Sequence, residues 1–84
     1  MASEFVVRKV AVAGGLMALH GEVKTGTVRD IDTGTTSGNK RFMITKIEGA
    51  DGPLTQALQM QKVTLVVKNL SVGDVIVGET LYIE

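Results

Sequence analysis

The segment Gly21-Glu22-Val23-Lys24-Thr25-Gly26-Thr27-Val28 constrains the fold of this chain more than any other. Two glycines five positions apart frame a valine, a Lys-Thr pair and the start of a second β-branched run. That spacing predicts a strand, a tight turn at Lys24-Thr25-Gly26 and a strand that returns along the first. The composition agrees with an all-β chain. Apolar residues make up 44% and aromatic residues only 4%, with valine prominent, and β-branched side chains suit a pleated, half-buried surface. The 84 residues are expected to form one domain, 1–84, with one modest core. A domain of this size hides roughly 60–65% of its unfolded surface.

Glycine, aspartate, asparagine and the single proline cut the rest into short runs. Phe5 to Val12 reads as a strand. The adjacent Arg8 and Lys9 break its alternation and predict a bulge or an edge position. Gly14-Gly15 is a turn, and Leu16 to Val23 the next strand, with a bulge or bend expected at Gly21. Thr27 to Ile31 returns, and Asp32 to Asn39 holds little worth burying, so a mobile loop is expected. In the strand Lys40 to Glu48, strict alternation puts Phe42 and Ile44 on one face and Met43, Thr45 and Ile47 on the other. Ala50 to Pro53 turns. Leu54, Ala57, Leu58 and Gln61 recur at helical spacing and predict a turn or two of helix, with Leu54, Leu58 and Met60 covering the open end of the core. Lys62 to Lys68 is the clearest strand, Asn69 to Gly73 turns, and Val75 to Ile83 closes the chain with an interruption at Gly78-Glu79. Many short strands with regular turns imply a sandwich or a barrel.

Three pieces in this order are similar to one family. They are Leu16-Met17-Ala18-Leu19 leading into Gly21-x-Val23-x-x-Gly26, Ile44-Thr45-Lys46-Ile47-Glu48, and Val63 to Val67 followed by a turn and Val75-Ile76-Val77-Gly78-Glu79-Thr80-Leu81. The chain resembles domain II of the translation GTPases, the β-barrel that follows the GTPase domain in elongation factor Tu. The resemblance implies a small closed or partly open antiparallel barrel of about six strands, standing without its GTPase domain. In elongation factor Tu this barrel helps to hold the aminoacylated end of tRNA. Here the corresponding segment, Leu54 to Gln61, carries Gln56, Gln59, Met60 and Gln61 in place of the family's acidic and glycine residues, so that particular contact is not implied.

Other classes find little support. No Gly-x-x-x-x-Gly-Lys-Ser/Thr motif is present to cradle a nucleoside triphosphate. Cysteine is absent, which excludes disulfides and thiolate chemistry. No apolar run approaches the roughly 20 residues of a membrane span, and the N-terminus does not read as a secretory signal, so a cytoplasmic protein is expected. Neither a cofactor nor a metal site is read. His20, the sole histidine, has no set of partners spaced for metal binding and no evident nucleophile beside it; a strand-end histidine with a polar tip is the expectation. Asp32-Thr33-Gly34 has the composition of the aspartic-protease loop, in which two such loops share a proton. Arg29 and Asp30, however, stand where that loop needs an apolar strand, and an Asx-type turn is expected.

Charge is balanced, nine basic against nine acidic groups, so bulk electrostatics will not hold the chain on nucleic acid. Local patches remain. Lys24, Arg29, Lys40, Arg41 and Lys46 are the candidate residues for contact with structured RNA or a ribonucleoprotein, beside the 32–39 segment. Stacking partners are few, since the aromatic residues are Phe5, Phe42 and Tyr82. The expected function is a non-catalytic binding module of the translation or RNA–protein machinery. The alternatives are a protein–protein adaptor whose partner covers an exposed strand edge, and a homodimeric protease built on Asp32.

Overall fold

The computed structural model describes residues 3–71 and 73–84. No helix occurs among the described residues; nine strands do. In chain order they are β1 (Ser3–Ala13), β2 (Leu16–Thr25), β3 (Val28–Arg29), β4 (Thr33–Thr35), β5 (Arg41–Gly49), β6 (Gly52–Leu54), β7 (Gln56–Ala57), β8 (Lys62–Lys68) and β9 (Thr80–Ile83). One sheet runs β4-β9-β1-β2-β8-β5-β6, and β4 also pairs with β5. The sheet therefore closes on itself as a six-stranded antiparallel barrel, with β6 appended to β5. A separate ribbon joins β3 to β7.

The core follows from alternation along the strands. Met17, Leu19 and Val23 of β2, Val63, Leu65 and Val67 of β8, and Leu81 and Ile83 of β9 all point inward with Phe5, Val7, Phe42 and Ile47. Burial of this apolar face supplies most of the stabilisation.

β1 and β2 are joined by a two-residue hairpin. Ala13 pairs with Leu16, and Gly14 and Gly15 take φ of 57° and 82°, the left-handed pair that a type I′ turn requires. The bulge expected from Arg8-Lys9 is present as a register shift between Val7 and Lys9. Opposite it, Gly21 lies so close to β1 that a Cβ there would collide with the Val6 carbonyl oxygen and press on the Phe5 ring. The glycine inside β2 is thus explained by backbone approach.

The structure revises several expectations. The turn at Lys24-Thr25-Gly26 exists, with Gly26 at φ 75°, but the chain does not return along β2. Both edges of β2 are already occupied, by β1 and by β8. The returning segment shortens to Val28–Arg29 and pairs with Ala57 and Gln56 instead. The 32–39 segment is not simply a loop, because Thr33–Thr35 closes the barrel between β5 and β9, and Gly34 and Thr36 are buried. Ile47 faces the core, not the solvent side with Met43 and Thr45. A register shift between Ile44 and Lys46 inserts one extra residue and reverses the phase of everything after it.

Leu54 to Gln61 is not helical. Its backbone groups are claimed by neighbours: Thr55 O accepts from Asp30 N, Gln61 O accepts from Val23 N, and Met60 N donates to Val23 O. Leu54 packs on the core, but Leu58 and Met60 are 51% and 71% exposed and do not cover it; the buried residues of this region are Ala57 and its cross-strand partner Val28. In the closing run only Thr80–Ile83 is strand. Val75 is buried while Ile76 and Val77 are exposed, in a turn where Glu79 N donates to Ile76 O. The expected 69–73 turn includes position 72, which lies outside the described residues.

Candidate functional site

The five candidate cations are all exposed, and the strand pairings place them. Lys24 follows Glu22 and Val23 toward the end of β2, and Glu22 pairs with Lys62, the first residue of β8. Arg29 sits on the β3–β7 ribbon. Arg41 opens β5 with Lys40 just before it, and Met43 pairs with Lys68, the last residue of β8. β8 is seven residues long, about 20 Å. Lys24 and the Lys40-Arg41 pair therefore stand at opposite ends of β8, each with a β8 lysine nearby. Lys46 is mid-strand and forms an ion pair with Glu48 at 3.6 Å. Among the described residues the only other ion pair is Arg8–Glu22 at 3.0 Å. Lys24, Arg29, Lys40 and Arg41 thus have no carboxylate partner there.

Lys40 is held by its backbone: its N–H donates to Thr36 Oγ1 at 3.1 Å, while its carbonyl accepts from Thr36 N. Just beyond, Ser37 donates both its N–H and its hydroxyl to Glu79. Burial raises the pKa of Glu79, but these bonds and the Ile76 N–H outweigh it, and the net shift is below the ordinary carboxylate value.

The sequence did not announce a groove of about 670 Å³ on the outer wall, lined by Arg8, His20, Glu22, Glu48, Lys62 and Thr64 together with Gly21 and Gly49. His20 is mid-strand in β2, not at a strand end, and its Nδ1 lies 2.7 Å from Thr64 Oγ1. The rim alternates in sign, with the Arg8–Glu22 pair spanning β1 and β2. Such a lining suits polar, uncharged or zwitterionic contacts better than a polyanion.

No cluster of three or more potential metal ligands occurs among the described residues. Asp32 is committed to local structure: its Oδ2 accepts the Arg29 N–H at 2.9 Å and its own N–H donates to Arg29 O. The acceptor is thus local, as expected, but it serves a residue three positions upstream. Gly34 of the same tripeptide is buried in β4 against the Phe42 ring, where a side chain would not fit. Among the described residues no helix is long and apolar enough to cross a membrane.

No protein-family model matches this sequence, and no curated protein matches it. Among solved structures the chain is similar to translation elongation factor SelB from Methanococcus maripaludis in its apo form, with a TM-score of 0.87 and 13% sequence identity. The match covers 98% of this chain and 19% of the SelB chain, so the chain spans about a fifth of that factor's length. The antiparallel barrel implied by the sequence resemblance is therefore the fold of this chain, and it is a fold found within a translation elongation factor.

Proposed function

We propose that this barrel is a non-catalytic binding module of the translation or RNA–protein machinery, contacting structured RNA through Lys24, Arg29, Lys40, Arg41 and Lys46. The observation that carries the reading is the shared fold with a translation elongation factor over nearly the whole chain, since fold alone leaves function open and needs a site to go with it. The exposed cations support it, four of the five without a carboxylate partner among the described residues. Phosphate contacts of this kind release counterions, so affinity falls steeply with salt. Titration of tRNA and of ribosomes at several salt concentrations tests the reading. Binding that weakens with salt, and weakens further in a Lys40→Gln, Arg41→Gln variant, is expected; absent or salt-insensitive binding overturns it.

A second reading, a protein–protein adaptor, is favoured by one observation. β1 pairs with β9 only from Ser3 to Val6, and Val7 bonds to Gly78 and Glu79. From Val10 to Val12 that edge has no strand partner among the described residues, and Val12 is exposed on it. An extended partner segment adds naturally to such an edge. Affinity purification from a native lysate separates the readings. RNA-containing particles support the first, and one protein partner lost on Val12→Lys supports the second.

A further inference from the structure

The outer wall over β9, β4 and β5 carries a feature that net charge hides. Tyr82, Thr35 and Arg41 are successive Cα partners in one cross-strand row. Their strand neighbours Ile83, Gly34 and Phe42 are buried, so the row faces outward. In the adjacent row Thr33 pairs with Met43, and Met43 pairs with Lys68. β4 offers only the short Thr33 and Thr35 side chains, leaving a shallow slot flanked by Tyr82 on one side and by Arg41 and Met43 on the other.

Three properties of the slot point to a ligand. Tyr82 is 46% exposed and is the sole tyrosine of a chain without tryptophan. Arg41 and Lys68 form no ion pair among the described residues. Two strand spacings, about 10 Å, separate the Tyr82 and Arg41 backbones, a distance their side chains span toward one nucleotide. The acidic groups nearby stand on the β9 side: Glu4 pairs with Tyr82, and Glu84, which exchanges backbone bonds with Thr33, borders the slot at that end. They repel an anion there and leave the Arg41–Lys68 side for it.

We propose that the slot binds one unpaired nucleotide of an RNA, its base stacked on Tyr82 over β4 and its phosphate held by Arg41 and Lys68. The proposal rests on the RNA reading above and names its contact. Stacking on an aromatic face tolerates any base, and the guanidinium supplies directed phosphate bonds.

Because Tyr82 is the sole strong intrinsic fluorophore, titration with short single-stranded oligoadenylate reads the contact directly. Quenching that saturates is expected. Tyr82→Ala, followed by fluorescence polarisation of labelled oligonucleotide, is expected to weaken binding by about 5-fold or more, as loss of one stacked base does. Tyr82→Phe keeps the ring and the affinity, which separates stacking from a folding defect. Arg41→Gln is expected to weaken binding and reduce the salt slope by about one. Unchanged Tyr82 emission at saturation, or Tyr82→Ala binding as tightly as the parent, overturns the slot. If tRNA still binds in a salt-dependent manner while Tyr82 stays silent, the slot alone falls; if no RNA binds, both readings fall.

Discussion

Glu79 and Ser37 tie two parts of the chain together across 42 positions of sequence. The Ser37 N–H reaches Glu79 Oε2 at 3.0 Å and the Ser37 hydroxyl donates to the same oxygen. The other carboxylate oxygen accepts the Ile76 N–H at 2.6 Å. One side chain thus fixes both the turn before β9 and the segment after β4, the two approaches to the β4–β9 seam that closes the barrel.

This arrangement gives the stability a pH dependence of known sign. The folded-state pKa of Glu79 lies below its ordinary value, because the hydrogen bonds outweigh a burial effect of opposite sign. The carboxylate therefore contributes above the unfolded carboxylate pKa, and the contribution is lost as pH falls through the lower folded value. Glu79→Gln is expected to cost about 0.5–1.5 kcal/mol at pH 7, and the cost shrinks as the pH is lowered past the ordinary carboxylate range and through the folded value. Urea denaturation of both proteins across an acid pH series checks this; a difference that stays constant down the series would refute the assignment.

The bulge in β5 makes a second prediction. Ile47 is fully buried while Met43, four residues earlier, is 42% exposed. Ile47→Ala is expected to cost about 2–5 kcal/mol, as buried aliphatic truncations do. Met43→Ala is a surface change, expected within about 0.5 kcal/mol of the parent. Strict alternation would demand similar costs, so equal shifts in urea midpoint would argue against the bulge.

Gly21 supports the third. A Cβ at this position meets the Val6 carbonyl and the Phe5 ring, and β1 cannot withdraw without breaking its pairing with β9. Gly21→Ala is expected to destabilise by about 1–3 kcal/mol. Chemical denaturation measures the cost.

The His20–Thr64 contact in that groove is the fourth. Thr64→Val keeps the shape and removes the hydroxyl that meets Nδ1 at 2.7 Å. A loss of about 1 kcal/mol is expected. Two-dimensional NMR of the imidazole nitrogens should show the change at Nδ1; an unaltered Nδ1 resonance would mean the bond does not form in solution.

Much of the barrel was legible because its signals are local. The alternation of Val63, Leu65 and Val67, the Gly14-Gly15 turn and the irregularity at Arg8-Lys9 each depend on a few adjacent residues, and each is present. The misread segments share a different property. Val28–Arg29, Thr33–Thr35 and Gln56–Ala57 are short strands that each have a partner far away in sequence: β3 and β7 have each other, and β4 has β9. With two or three residues each they carry no periodicity to read, and the helical spacing of Leu54 to Gln61 is outweighed by the backbone groups waiting on β2 and β3.

The candidate site divides along the same line. The sequence alone determined which residues carry charge, that Gly21 is unusual within its strand, and that a valine-rich chain of short runs is all-β; the barrel itself was implied by the family resemblance. Only the tertiary structure decided which of them meet. Barrel closure sends Lys24 and Arg41 to opposite ends of β8, one inserted residue turns Ile47 inward, and the pairing of β4 with both β5 and β9 brings Tyr82 and Arg41 into one row. Those outcomes depend on the register between distant strands. Register is set by how all six fit together around a common core, and that information is not held in any one stretch of the chain.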